Sequence, residues 1–92
     1  MSKTRWPKEV TWPEAKDFCR HSLDGPNGTH CMLGWIENDF PLQGHQERAE
    51  RVLSGLIGDD ITVPRYNDFT PFKVVAATYQ EMLRKLGYEV VK

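Results

Sequence analysis

Thr29-His30-Cys31-Met32-Leu33-Gly34-Trp35-Ile36-Glu37 is the stretch on which the fold turns. It is apolar on nearly every side, so whatever it forms is buried over most of its surface. Periodicity alone does not separate a buried helix from a buried strand over so short a run. The segment has no β-branched run, and Cys31, Met32, Leu33, Trp35 and Ile36 make one broad stripe at helical spacing. The reading is therefore a short helix capped by Thr29. Gly34 costs such a helix about 1 kcal/mol relative to Ala, which points to a neighbouring element packed close against it. Asn38-Asp39-Phe40-Pro41 ends the element. Residues 31–36 are thus expected to form an interior rib, sealed by the amphipathic segments on either side.

Downstream lies the clearest of those segments. Over 43–57, Ala49, Val52, Leu53, Leu56 and Ile57 line one side, and Glu47, Arg48, Glu50 and Arg51 the other. The pattern predicts a helix stopped by Gly58, which accepts positive φ. Residues 59–64 read as extended and 65–69 as a loop. A last helix opens at Thr70-Pro71, buries Val75, Tyr79, Met82, Leu83 and Leu86, and stops at Gly87. The reading leaves open a minor two-stranded patch between 61–63 and 88–91.

Upstream, Trp6-Pro7-Lys8-Glu9 is echoed by Trp12-Pro13-Glu14. Thr11 and Glu14 have capping-box spacing with Pro13 in the first turn, so a helix is expected over 13–23, with Ala15, Phe18 and Cys19 inward. Asp24-Gly25-Pro26-Asn27-Gly28 stops it. The expected fold is mainly α, a compact single-domain bundle of about four helices over residues 1–92, with 1–10 as an N-terminal arm.

The chain has 92 residues, 12 Lys+Arg against 13 Asp+Glu, and a net charge of −1. No surplus of cations marks it for a nucleic-acid or membrane surface. No apolar run approaches the ~20 residues that span a bilayer. The start, Met1-Ser2-Lys3-Thr4-Arg5, lacks the signature of an export signal, so the expected compartment is the cytoplasm, with two free thiols, Cys19 and Cys31.

Three constellations bear on chemistry. Cys19, His21, His30, Cys31 and His45 are ligand types for zinc, but adjacent helical residues diverge by about 100° and do not converge as a Cys-x-x-Cys knuckle does. Cys31 lies near a helix start, where a thiol is activated and a histidine can act as base; its apolar surroundings argue for an inert, buried group. No cofactor is called for, and catalysis is not the expected role. The third is charge. No Lys or Arg lies between Arg20 and Arg48, whereas Asp24, Glu37, Asp39 and Glu47 do, with Trp35 and Phe40 among them. Asp24, Trp35, Glu37, Asp39, Phe40 and Glu47 are expected to form an acidic, partly aromatic face for a basic protein partner, against the plainer reading of a solvated edge. Tyr66-Asn67-Asp68 reads as a structural loop, with Asn67 or Asp68 capping the last helix or tying back to the Leu33-Gly34 region.

The order His30-Cys31-Met32-Leu33-Gly34-Trp35, an amphipathic helix, Ile61, Tyr66-Asn67-Asp68 and a closing helix resembles a family of small uncharacterised phage, prophage and actinobacterial proteins. Their shared pattern is a Cys-x-Leu-Gly segment followed by an aromatic-Asn-Asp loop. The resemblance spans roughly 29–86, and Met32 and Trp35 depart from it by standing where small residues are usual. It implies no catalytic residue. It implies a setting in which small proteins bind and block a host protein, inhibitors of CRISPR defence among them. The expected function is a non-enzymatic protein-binding module of that kind. The alternatives are a domain stabilised by zinc through Cys19, Cys31 and nearby histidines, and a small thiol enzyme centred on Cys31.

Overall fold

The computed structural model describes residue 7, residues 9–21 and residues 24–89. Four helices carry the fold: α1 (Met32–Asp39), α2 (Gln43–Ile57), α3 (Val63–Phe69) and α4 (Phe72–Lys85). The fold class is the mainly-α bundle that the sequence predicts. The four helices are not the four predicted, however.

α1 is the interior rib. Met32 and Ile36 are fully buried, and Gly34 and Trp35 are buried beside them. Cys31, not Thr29, is the residue at its N-cap. α2 has the predicted bounds and buries His45, Ala49 and Leu53. Gly58, at φ +95°, ends it in a conformation that β-carbons disfavour. α4 buries Val75, Ala76, Tyr79, Met82 and Leu83, with Arg84 and Lys85 in its last turn, where cations offset the helix dipole.

The helix expected over 13–23 does not form. Only a single 3-10 turn, Ala15–Asp17, stands there; Ser22 and Leu23 lie outside the described residues. The backbone groups that helix would have used have other partners. Thr11 donates its N–H to Asp39 at 3.1 Å, and the Pro13 carbonyl accepts from Gln80 Nε2 at 3.0 Å. The Asp17 carbonyl accepts both the His30 N–H at 3.1 Å and Trp35 Nε1 at 3.0 Å. His21 then takes φ +63°, which no α-helix contains. Residues 9–21 thus wrap the core as an extended strap. Gly25 to Thr29 turns back beside it, and a second 3-10 turn, Pro26–Gly28, carries Asn27 at φ +59°.

The fourth helix is instead α3. Thr62 caps it, accepting the Arg65 N–H on its hydroxyl at 3.4 Å, and Pro64 sits in the first turn. Val63 therefore starts a helix, and the optional strand over 61–63 is absent. Its proposed partner continues beyond Glu89, outside the described residues. Trp6 of the N-terminal arm lies outside them too.

Tyr79 stands at the centre of the core, edge-on to Phe18 with centroids 6.2 Å apart. Its hydroxyl donates to Asp39 Oδ2 at 2.9 Å. Burial, with the Asp39 charge next, holds the phenol well above its usual range, and Tyr88 is raised by the same two causes. The folded state therefore keeps these protons when the unfolded chain has lost them. Stability is full below about pH 10 and falls as pH rises further. Tyr79, fully buried, adds up to about 1.4 kcal/mol per pH unit to that fall, and the partly buried Tyr88 adds less. Urea titrations between pH 9 and 11.5 should show it, and Tyr79→Phe should flatten the slope; an unchanged slope would refute the assignment to Tyr79.

Candidate binding surface

The six residues expected to share an acidic face divide in two. Trp35 is 8% exposed, Asp39 8% and Phe40 0%, so these three belong to the interior and not to a surface. The physical reason is the strap for Trp35 and Asp39, and packing near Tyr88 for Phe40. Trp35 donates its indole N–H to the Asp17 carbonyl and meets the His30 ring edge-on at 4.6 Å. Asp39 receives hydrogen bonds from Thr11 and Tyr79, and Phe40 packs near Tyr88 at 6.1 Å. Asp24 is exposed but stands apart, 2.7 Å from His30 Nδ1.

Glu37 and Glu47 are exposed, and Glu50, near them, is half-buried. The Glu50 carboxyl is raised by burial first, and then by the negative charges of Glu37 and Glu47. Glu37 of α1 and Glu47 of α2 are thus both within electrostatic reach of Glu50. Glu50 also lines a groove of about 350 Å³ where α1, the end of α2 and the start of α3 meet. Leu33, Ile61 and Val63 give it an apolar floor, Asp59 a further acid, and Ser54 and Thr62 hydroxyls. Glu50 and Asp59 were not among the residues singled out from the sequence. The signal for Glu50 was its place one turn from Glu47 on the polar side of α2; nothing local placed Asp59 across the groove.

The aromatic-Asn-Asp loop is a helix with a structural task. Asn67, fully buried, accepts the Met32 N–H on Oδ1 at 3.1 Å and donates Nδ2 to the Cys19 carbonyl at 2.8 Å. The tie to α1 falls one residue before the expected Leu33. Arg20 clamps the other side. Its guanidinium donates to the Asn67 carbonyl at 2.7 Å and the Thr70 carbonyl at 2.9 Å, and lies 4.1 Å over the Phe72 ring. Asp68 accepts the His21 N–H at 3.0 Å, which holds its carboxyl below the usual range.

The two cysteines stand as thiols, Cys31 buried and Cys19 half-buried. Burial pushes the Cys19 thiol up, and a hydrogen bond with Thr29 offsets part of that. Among the described residues, which include Cys19, His21, His30, Cys31 and His45, no three His, Cys, Asp or Glu side chains gather where they could hold a metal ion. Cys31 itself is buried and does not line the groove, although Leu33 of the same rib does. No helix among the described residues is long and apolar enough to cross a membrane.

Fold and surface together define a small helical domain with a buried asparagine clamp and one acidic groove. No family model, curated protein or solved structure matches the chain.

Proposed function

We propose that this chain is a non-enzymatic protein-binding module that receives a basic segment of a partner protein in the groove between α1, α2 and α3. The observation that carries this reading is the groove lining, in which Glu50 and Asp59 stand beside Leu33, Ile61 and Val63; the Glu50 carboxyl is raised by burial first and then by the nearby charges of Glu37 and Glu47. Like charges held together on rigid helices are destabilising, and a cationic partner relieves the repulsion. Leu33, Ile61 and Val63, which line the groove with Glu50 and Asp59, suit the aliphatic stems of Lys and Arg. The partner we propose is a host protein, a defence protein blocked by the binding, and this rests on the sequence resemblance to phage and prophage proteins alone.

Glu37→Lys with Glu47→Lys tests the reading, because both side chains are exposed and neither supports the core. Affinity for a lysine- and arginine-rich protein segment, measured by titration calorimetry, should fall tenfold or more, about 1.4 kcal/mol. The thermal midpoint should stay where it was. Wild-type binding should also weaken with added salt, since rim charges act through screened fields. Equal affinity of wild type and variant would sink the groove as the binding surface.

A further inference from the structure

Phe18 and His30 form a parallel β-bridge. The Asp17 carbonyl accepts the His30 N–H, and the His30 carbonyl accepts the Cys19 N–H, both at 3.1 Å. In a parallel ladder the next rung joins the Cys19 carbonyl to the Met32 N–H. The Asn67 amide occupies that rung, bonded to both groups. Cys19 and Cys31 are consequently the register pair that follows Phe18 and His30.

Register partners in a ladder place their side chains on one face. Thr29 and Cys31 are both extended, at φ −78°, ψ 155° and φ −78°, ψ 178°, so they too share a face. The Thr29 side chain is hydrogen-bonded to the Cys19 thiol, which fixes that thiol on the Thr29 and Cys31 side. Adjacent strands run about 4.8 Å apart, and an amide wedged into the rung widens the gap. A disulfide asks for α-carbons about 4.4–6.8 Å apart. Gly25 supplies the space: a β-carbon there would come within 2.9 Å of the Cys19 sulfur.

We propose that Cys19 and Cys31 are a redox pair that closes into an intramolecular disulfide, fastening the strap at residues 18–20 to the start of α1. The oxidant is a small-molecule disulfide such as glutathione disulfide. Cys19, the more exposed of the two, attacks as a thiolate and expels one glutathione thiolate, leaving a mixed disulfide. Cys31, deprotonated in turn, attacks the Cys19 sulfur and expels the second. The protein gives up two electrons and two protons, and one glutathione disulfide becomes two glutathione thiols. The bond closes the 20–30 loop and reinforces covalently what Asn67 holds by hydrogen bonds.

The chain has no other cysteine, so loss of both thiols without dimerisation identifies the bond. The whole protein is equilibrated with mixtures of reduced and oxidised glutathione, once under native conditions and once in about 8 M urea. Mass spectrometry then reads the closed form, lighter by about 2 Da, against glutathione adducts. The equilibrium constant for closure should be at least tenfold larger in the folded protein. By the thermodynamic cycle the oxidised protein then melts higher, by several degrees in a domain of this size. A constant equal to or below that in urea, a persistent glutathione adduct on Cys19, or disulfide-linked dimers would each overturn the proposal.

Discussion

Asn67→Leu is expected to lower stability by about 3–5 kcal/mol, the largest single-residue effect in the molecule and enough to unfold much of a domain this small. Leucine fits the volume of the site and removes the amide. The Met32 N–H and the Cys19 carbonyl are then left without their Asn67 partners, one in the interior and one at its edge. An unpaired buried backbone group costs about 1–3 kcal/mol, and two are orphaned here. The damage also spreads, because Arg20 takes its position from the carbonyls of Asn67 and Thr70. Asn67→Asp separates this account from simple loss of packing. The carboxylate keeps the shape but has no donor for the Cys19 carbonyl, and it adds a charge beside Asp68. Protonation restores an O–H donor and removes the charge. Urea midpoints at pH 7 and pH 5 should show the deficit of Asn67→Asp, relative to wild type at each pH, shrinking on acidification. A deficit that does not change with pH would mean the bridging amide is not what holds the strap.

The rib and α2 were legible in the sequence because their signals are local. A 15-residue amphipathic pattern with Gly58 at its end needs no tertiary help, and α2 has the expected limits. The strap was misread for the opposite reason. Thr11, Pro13 and Glu14 have the chemistry of a helix start, but Thr11 and Pro13 bond to Asp39 and Gln80, 28 and 67 residues away. Nothing within the strap announces such partners. At 62–64 the same cap-then-proline pattern does begin a helix. Ile61-Thr62-Val63 is a β-branched run that suits the extended reading, but the Thr62 cap and Pro64 start a helix there instead. The acidic face was half legible. The lack of cations between Arg20 and Arg48 is a property of sequence, and it leaves Glu37 and Glu47 exposed. Which acids and aromatics reach the surface is decided by tertiary packing: the strap bonds to Trp35 and Asp39, and Phe40 packs near Tyr88.

Asp39→Ala is the second large effect, about 3–4 kcal/mol, and it arises in the core although the residue is charged. Its Oδ1 accepts the Thr11 N–H at 3.1 Å and Asn38 Nδ2 at 3.3 Å, while Oδ2 accepts the Tyr79 hydroxyl at 2.9 Å. Alanine leaves the fully buried Tyr79 O–H without that acceptor and releases the strap at Thr11. Tyr79→Phe should cost less, about 1–2 kcal/mol, because the carboxylate keeps its other two donors. The two effects must not add. Once Asp39 is gone, removing the Tyr79 hydroxyl deletes an unsatisfied group and recovers part of the loss. A double-mutant cycle read by urea denaturation should therefore show the pair less damaged than the sum of the singles by about 1–3 kcal/mol. Additivity would mean that the two groups act independently. The Tyr79–Asp39 bond would then contribute nothing to holding α4 against α1, and the interior position of Asp39 would need another cause.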